Sequence, residues 1–196
     1  MKRELIENLS KQNNGILKTS DVEKLGITKP YFYEFLAKHG YKKLSQGVYL
    51  APDSWEDGMY ALQQRFCKAV FSHETALYLL GLSEREPFQY EVTVPHGYNA
   101  TNLKSQNAVV YSVKPEWYSL GIIETETPMG NSVKIYNTER TLCDIFKTNC
   151  HIEIQDKQFA VKEYIRQKEK NIPLLMEYAK TLKVEKAVKQ YLEVLL

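Results

Sequence analysis

Thr28, Lys29 and Tyr33 stand close together in the chain, and Lys42, Lys43, Ser45 and Gln46 follow shortly after. Their hydroxyl, ammonium and amide groups are the kinds of donor and acceptor that read base edges and hold phosphate oxygens. A lysine contributes a mobile point charge to such a contact, whereas the neutral groups contribute direction. Side chains of this kind read a duplex only when rigid elements aim them, so the surrounding pattern decides what they can do.

That pattern is three short helices and a hairpin. Leu5, Ile6 and Leu9 recur at helical spacing and predict a first helix over about Lys2–Lys11, broken at Gly15. Ser20-Asp21-Val22-Glu23 has the form of a capping box, in which the Ser20 hydroxyl and the Glu23 carboxylate each serve the other's backbone N–H. The second helix ends at Gly26, and Thr28-Lys29-Pro30 opens a third whose inward stripe is Phe32, Phe35 and Leu36. Gly40 closes it, and Tyr41–Leu50 reads as two strands about a Ser45-Gln46-Gly47 turn. The order predicts a winged helix-turn-helix over residues 1–51, with the third helix in a major groove and the hairpin beside it. In this reading Thr28, Lys29 and Tyr33 face bases, and Lys42, Lys43, Ser45 and Gln46 face phosphate or a minor groove. Residues 1–50 hold nine Lys/Arg against five Asp/Glu, and the remainder holds seventeen against nineteen, so the positive excess is concentrated in this segment. Such an excess favours salt-sensitive binding to a polyanion.

Other chemistry is poorly provided for. Glu91, Glu124, Glu126 and Asp144 are the best carboxylates for holding a divalent cation, yet no Asp-x-Asp or Gly-Ser pair accompanies them. Neither a P-loop nor a Ser/His/Asp signature is present. Cys67, Cys143 and Cys150 are odd in number and widely spaced, which fits buried thiols better than a disulfide framework or a zinc site. The expectation is a protein without catalytic residues, metal or cofactor. Met1-Lys2-Arg3 leads straight into an amphipathic helix, and no apolar run approaches the ~18 residues of a membrane span, so a cytoplasmic protein is expected.

With 196 residues and 43% hydrophobic content, the chain has room for a second core beyond a short Pro52-Asp53-Ser54 linker. Residues 55–196 predict an α+β domain: about four strands in a small sheet covered by helices, with a helical tail. Its helices are expected from about Trp55, from Ser72 as cap to Leu80, and from Thr138 to Lys147; the strands are Tyr90–Val94, Val109–Val113, Gly121–Glu126 and Val133–Tyr136. Arg140 and Asp144 are spaced to pair on one helix face. The tail is expected to be helical from about Asp156. Its apolar stripes are Phe159, Ala160, Tyr164 and Ile165; then Leu175, Tyr178, Ala179 and Leu182; then Val184, Val188, Tyr191, Leu192 and Leu195. Lys162, Arg166 and Lys170 recur every four residues, and Lys183, Lys186 and Lys189 every three. These ridges read either as solvated helix faces, since Glu163, Glu169, Glu185 and Glu193 interleave with them, or as a second polyanion surface.

Three stretches together carry a family likeness. They are Gly40-Tyr41-Lys42-Lys43-Leu44 with Gly47-Val48-Tyr49; Ser72-His73-Glu74-Thr75-Ala76-Leu77 with Gly81-Leu82; and Thr138-Glu139-Arg140-Thr141-Leu142-Cys143-Asp144. Their order and spacing resemble the AbiEi family, antitoxins of type IV toxin–antitoxin abortive-infection systems, over nearly the full length. Thr75 stands where the family favours Ser, and Asn137 where Pro is common before Glu-Arg. The resemblance implies a transcriptional autorepressor that binds operator DNA of its own promoter, with an N-terminal winged helix and a C-terminal antitoxin domain. It also implies a neighbouring nucleotidyltransferase-like toxin, neutralised without a stable complex. The Ser72–Leu77 and Thr138–Asp144 motifs are structural in this reading. Two other classes compete: a ligand-sensing winged-helix regulator, and a nuclease or nucleotidyltransferase targeted by a winged helix.

Overall fold

The computed structural model describes residues 1–148 and 150–195, and side chains as far as residue 193. Leu195, expected in the last apolar stripe, lies outside the described side chains. The chain divides into two compact units: unit 1 is Met1–Cys67 with Glu126–Val133, and unit 2 is Lys68–Thr125 with Lys134–Leu196. The first unit therefore extends beyond the Pro52 linker and takes in a later piece of chain.

Unit 1 runs α1 (Lys2–Gln12), β1 (Ile16–Lys18), α2 (Thr19–Lys24), α3 (Lys29–Lys38), β2 (Lys42–Ser45), β3 (Val48–Leu50) and α4 (Gly58–Arg65). The three strands form an antiparallel sheet in the order β1-β3-β2. Strand β1 is too short to show alternation, so the sequence pattern reveals only the hairpin. The core of the unit joins Ile6, Leu17, Val22, Ile27, Phe32, Phe35 and Leu36, so the α3 stripe faces inward as its spacing predicts. Leu5 instead stays exposed, and Leu9 only packs against the edge of the cluster.

The capping box does not form. Helix α2 begins at Thr19 with Lys18 as its cap, which places Ser20 inside the first turn. From there the Ser20 hydroxyl faces Asp21 at 3.5 Å and makes no cap bond. Gly26 does close the helix: its φ of +73° is a left-handed conformation that costs glycine little, and Ile27 N–H reaches back to the Val22 carbonyl. Helix α4 starts later than Trp55 because Asp57 caps it, its Oδ1 accepting from Tyr60 N–H at 3.0 Å.

Unit 2 contains β4 (Val70–Phe71), α5 (His73–Leu79), β5 (Glu91–Pro95), α6 (Thr101–Lys104), β6 (Val109–Val113), α7 (Pro115–Tyr118) and most of β7 (Ile122–Glu126) and of β8 (Ser132–Tyr136). Helices α8 (Thr138–Ile145), α9 (Ile154–Arg166), α10 (Ile172–Thr181) and α11 (Glu185–Leu195) follow. The mixed sheet has five strands in the order β6-β5-β4-β8-β7, one more than the pattern predicts. The added strand is the central one. Two-residue β4 pairs antiparallel with β5 and parallel with β8, placing Phe71 opposite both Val92 and Ile135. Val70 and Phe71 are wholly buried, but two residues carry no period.

The tail is three helices packed on α5 and α8 around Leu77, Leu142, Cys143, Ala160, Tyr164, Leu175 and Val188. Phe159 belongs to the surface, and Val161 takes its place in the core. Neither basic ridge is continuous. Helix α9 ends at Arg166, where Gln167 turns extended with ψ of 136°, so Lys170 lies beyond the helix. Lys183 precedes α11 in a left-handed conformation at φ +63°. Of the cations remaining on helices, Arg166 pairs with Glu163 at 2.5 Å and Lys189 with Glu185 at 2.7 Å.

Candidate nucleic-acid interface

The N-terminal end of α3 is fixed from beneath and open above. Pro30 sits in its first turn, where a missing N–H costs nothing, and Phe32, Phe35 and Leu36 anchor the helix to the unit 1 core. Thr28, Lys29 and Tyr33 are left exposed. Lys29 Nζ pairs with Glu23 Oε1 at 3.2 Å; both side chains are about half exposed, so the pair is weak and exchangeable. Tyr31 is exposed too, beneath Lys2 Nζ at 5.8 Å from its ring centroid.

The hairpin joins this face through aromatic contacts. Tyr33 meets Tyr49 with ring centroids 6.3 Å apart, and Tyr49 meets Phe32 edge-on at 5.7 Å. Burial and the neighbouring Tyr33 push the Tyr49 hydroxyl above its ordinary range. Tyr49 lies opposite Lys43 in the strand register, so one aromatic contact links the exposed face of α3 to the lysine pair of β2. The register shifts between Lys43 and Ser45. This bulge breaks strict alternation beyond Lys43 and turns Ser45 inward, while Lys42 and Lys43 are both exposed ahead of it. Ser45 is therefore corrected as a surface donor: it is 9% exposed, and its Oγ has no partner among the described residues. Gln46 remains exposed at the turn. The structure thus brings Thr28, Lys29, Tyr33, Lys42, Lys43 and Gln46 onto the surface of unit 1 and withdraws Ser45. Tyr49 is the linking residue that sequence reasoning misses; its aromatic type in a strand beside Lys43 is the available signal.

Sequence reasoning also misses a second polar site in unit 1. The Asp57 carboxylate that caps α4 accepts from Thr127 Oγ1 at 2.5 Å and Asn131 Nδ2 at 2.9 Å, and all three residues are buried. These bonds make the tip of the β7–β8 hairpin part of unit 1.

In unit 2 the Ser72–Leu77 and Thr138–Asp144 motifs fall at α5 and α8, which pack together. Helix α8 is buried over most of its surface, including its charges. Arg140 Nε donates to Asp144 Oδ2 at 3.0 Å with both side chains essentially inaccessible, and Lys147 Nζ reaches Asp144 Oδ1 at 2.6 Å. Burial alone would raise the Asp144 pKa, but Arg140, His73 and Lys147 outweigh it and hold the carboxyl below its usual range. Arg140 Nη1 also donates to the backbone carbonyls of Trp117 and Leu120, and the guanidinium lies 4.2 Å from the Tyr136 ring centroid. Gly121 makes this approach feasible. Its φ is +78°, and an added Cβ would fall 2.8 Å from Asn137 Oδ1 and 2.9 Å from Arg140 Cβ.

Ser72 precedes α5 but makes no cap bond. Its Oγ accepts from Thr93 Oγ1 at 2.9 Å and meets His73 Nδ1 at the same distance. His73 stacks on Tyr111 at 3.6 Å, and burial lowers its pKa to about 4, so the ring is neutral at pH 7. Tyr111 in turn donates to Glu91 Oε1 at 2.8 Å. Glu124 and Glu126 are exposed on β7, apart from half-buried Glu91 and buried Asp144. Among the described residues no three His, Cys, Asp or Glu side chains come together as a metal site, and no helix is long and apolar enough to cross a membrane.

The chain is thus an α+β protein of two units, one with a three-stranded sheet and one with a mixed five-stranded sheet. No family model and no curated protein matches it. Its fold is similar to a crystal structure of the RV2827C protein from Mycobacterium tuberculosis, with a TM-score of 0.58, 10% identity, and coverage of 90% of this chain and 70% of that one.

Proposed function

We propose that this chain is an AbiEi-type antitoxin that represses its own operon through sequence-specific DNA binding. In this reading unit 1 is a winged helix-turn-helix, α3 enters the major groove, and the β2–β3 turn contacts the backbone. The observation that carries it is the exposed set Thr28, Lys29, Tyr33, Lys42, Lys43 and Gln46, borne on helices and strands whose opposite sides form one apolar core. The functional partner is a nucleotidyltransferase-like toxin opposed without a stable complex. The chain itself is no enzyme in this proposal: Ser72, His73, Arg140 and Asp144 are buried at 2% exposure or less and act as packing and ion-pair groups.

The test uses the full chain and DNA from upstream of its gene. Wild type should prefer that DNA over a scrambled duplex, with affinity falling as salt rises. Lys29→Ala/Tyr33→Ala should weaken binding by about 1–3 kcal/mol for each good base contact it removes. Equal affinity of the two proteins, or no preference over scrambled DNA, sinks the DNA-binding reading. The antitoxin reading needs a toxic nucleotidyltransferase in the adjacent reading frame and growth rescue on co-expression; the absence of either removes it.

A further inference from the structure

In unit 2, α7, the end of α8 and the start of α11 enclose a cleft of about 460 Å³ whose walls include Trp117, Phe146, Lys147, Leu182, Lys183 and Lys186. No carboxylate is among the described residues that line it. That volume lies in the range of small-ligand sites. We propose that this cleft binds a free mononucleotide, with its phosphates on the lysines and its base against the aromatic wall. The proposal goes beyond operator binding and does not depend on it.

Charge is the first support. Lys147 and Arg140 share the single carboxylate of Asp144, so this group keeps one net positive charge beside the cleft that Lys147 lines. Lys183 and Lys186 have no ion-pair partner among the described residues, whereas the nearby Glu185 is already engaged by Lys189. Three lysines thus line one cleft, and of these only Lys147 has a carboxylate partner among the described residues. An anion of more than one charge answers that excess, and the lysines suit phosphate as point charges.

Shape and chemistry of the wall are the second support. Trp117 and Phe146 are partly exposed aromatics, and Lys147 Nζ stands 5.6 Å from the Trp117 ring centroid. A plain phosphate would leave this apolar wall wet, whereas a nucleotide covers it with a base, a contact that every base can make. The wall is held in place from behind, because the Trp117 backbone carbonyl receives the Arg140 guanidinium. Lys183 keeps a left-handed backbone at φ +63°, a conformation uncommon for a lysine, at the turn that brings its side chain to the cleft.

The chain has two tryptophans, and the other, Trp55, is highly exposed in unit 1. Trp55→Phe therefore makes Trp117 the sole indole reporter in a full-length protein. Titration with ATP, GTP, CTP and UTP should give saturable quenching by at least one of them. Inorganic tripolyphosphate should bind at least ~10-fold more weakly, the factor for about 1.4 kcal/mol of base stacking. Lys183→Glu/Lys186→Glu should weaken the nucleotide by ~10-fold or more with an unchanged melting temperature, since both side chains are exposed. Absence of saturable quenching at millimolar nucleotide overturns the proposal, and so does tripolyphosphate binding as tightly as nucleotide. An unchanged affinity after charge reversal overturns it as well. A response to single-stranded oligonucleotide alone overturns it in favour of a strand-binding groove.

Discussion

The exposed face of unit 1 and the buried ionic knot of unit 2 use similar residue types to opposite ends. On α3 and β2, lysines and a tyrosine project into solvent, with the α3 stripe anchored in an apolar core. On α8, Arg140 and Asp144 are drawn into the interior and paired with one another, with Lys147 at the edge of the knot, with backbone carbonyls and with the Tyr136 ring. The first arrangement keeps its binding capacity free, so it contributes little to stability. The second uses its capacity internally, so removing one member leaves another charge stranded. Charged residues in a sequence therefore say little about role until their exposure is known.

The sharpest way to break this comparison is Arg140→Met. It leaves Asp144 buried with Lys147 as its one remaining neighbouring ammonium and frees the Trp117 and Leu120 carbonyls. Loss of one partner from a buried pair costs about 3–5 kcal/mol, and chemical denaturation should show a fall of that order. A change under about 1 kcal/mol would mean that the knot is not what holds α8.

A comparable but smaller effect should follow from pH. The His73 pKa lies at about 4, below the ordinary 6.5, because burial disfavours the imidazolium. The unfolded chain thus takes up the proton first as pH falls. The neutral ring's contribution is fully present above about pH 6.5 and is lost as pH falls toward 4, amounting to about 3 kcal/mol across that window. His73→Asn retains a residue type tolerant of the left-handed φ of +50° while removing the titration. Melting temperatures between pH 7 and 4.5 should then fall less steeply than in wild type. Parallel curves would assign the acid loss to groups other than His73.

The smallest expected effect on stability is on the other side of the comparison. Lys42→Ala/Lys43→Ala should each change unfolding free energy by about 0.5 kcal/mol or less, because both side chains are exposed. The same variant should reduce the salt slope of DNA binding by about one unit for each phosphate it no longer neutralises. A stability deficit like that of Arg140→Met would show that the two regions do not differ in kind.

Much of the local structure is legible in the sequence because local rules govern it. Caps, glycines and 3.6-residue spacing locate α3 and its stripe, and the Gln46-Gly47 turn locates the hairpin. The rest depends on partners far along the chain. Arg140 has the spacing of half of a surface i,i+4 pair with Asp144; its burial comes from Trp117 and Leu120, some twenty residues earlier. Ser45 has the look of a free donor until the bulge turns it inward. Strand β4 is central to its sheet yet only two residues long. The lysine ridges presuppose uninterrupted helices, which the chain does not form, although Lys183 and Lys186 meet again at a cleft.

The bonds from Asp57 to Thr127 and Asn131 limit how this protein can be taken apart. Unit 1 recruits residues 126–133 only after much of unit 2 has been traversed, so the chain passes from one unit to the other three times. A fragment cut at the Pro52 linker lacks α4, and one cut after Cys67 keeps the Asp57 carboxylate and its Tyr60 donor but loses both side-chain donors, Thr127 and Asn131. Unit 1 is consequently not a portable cassette. Neither recombination nor cloning can move it as one continuous stretch, and ribosomal synthesis must reach Asn131 before its last polar contacts can close.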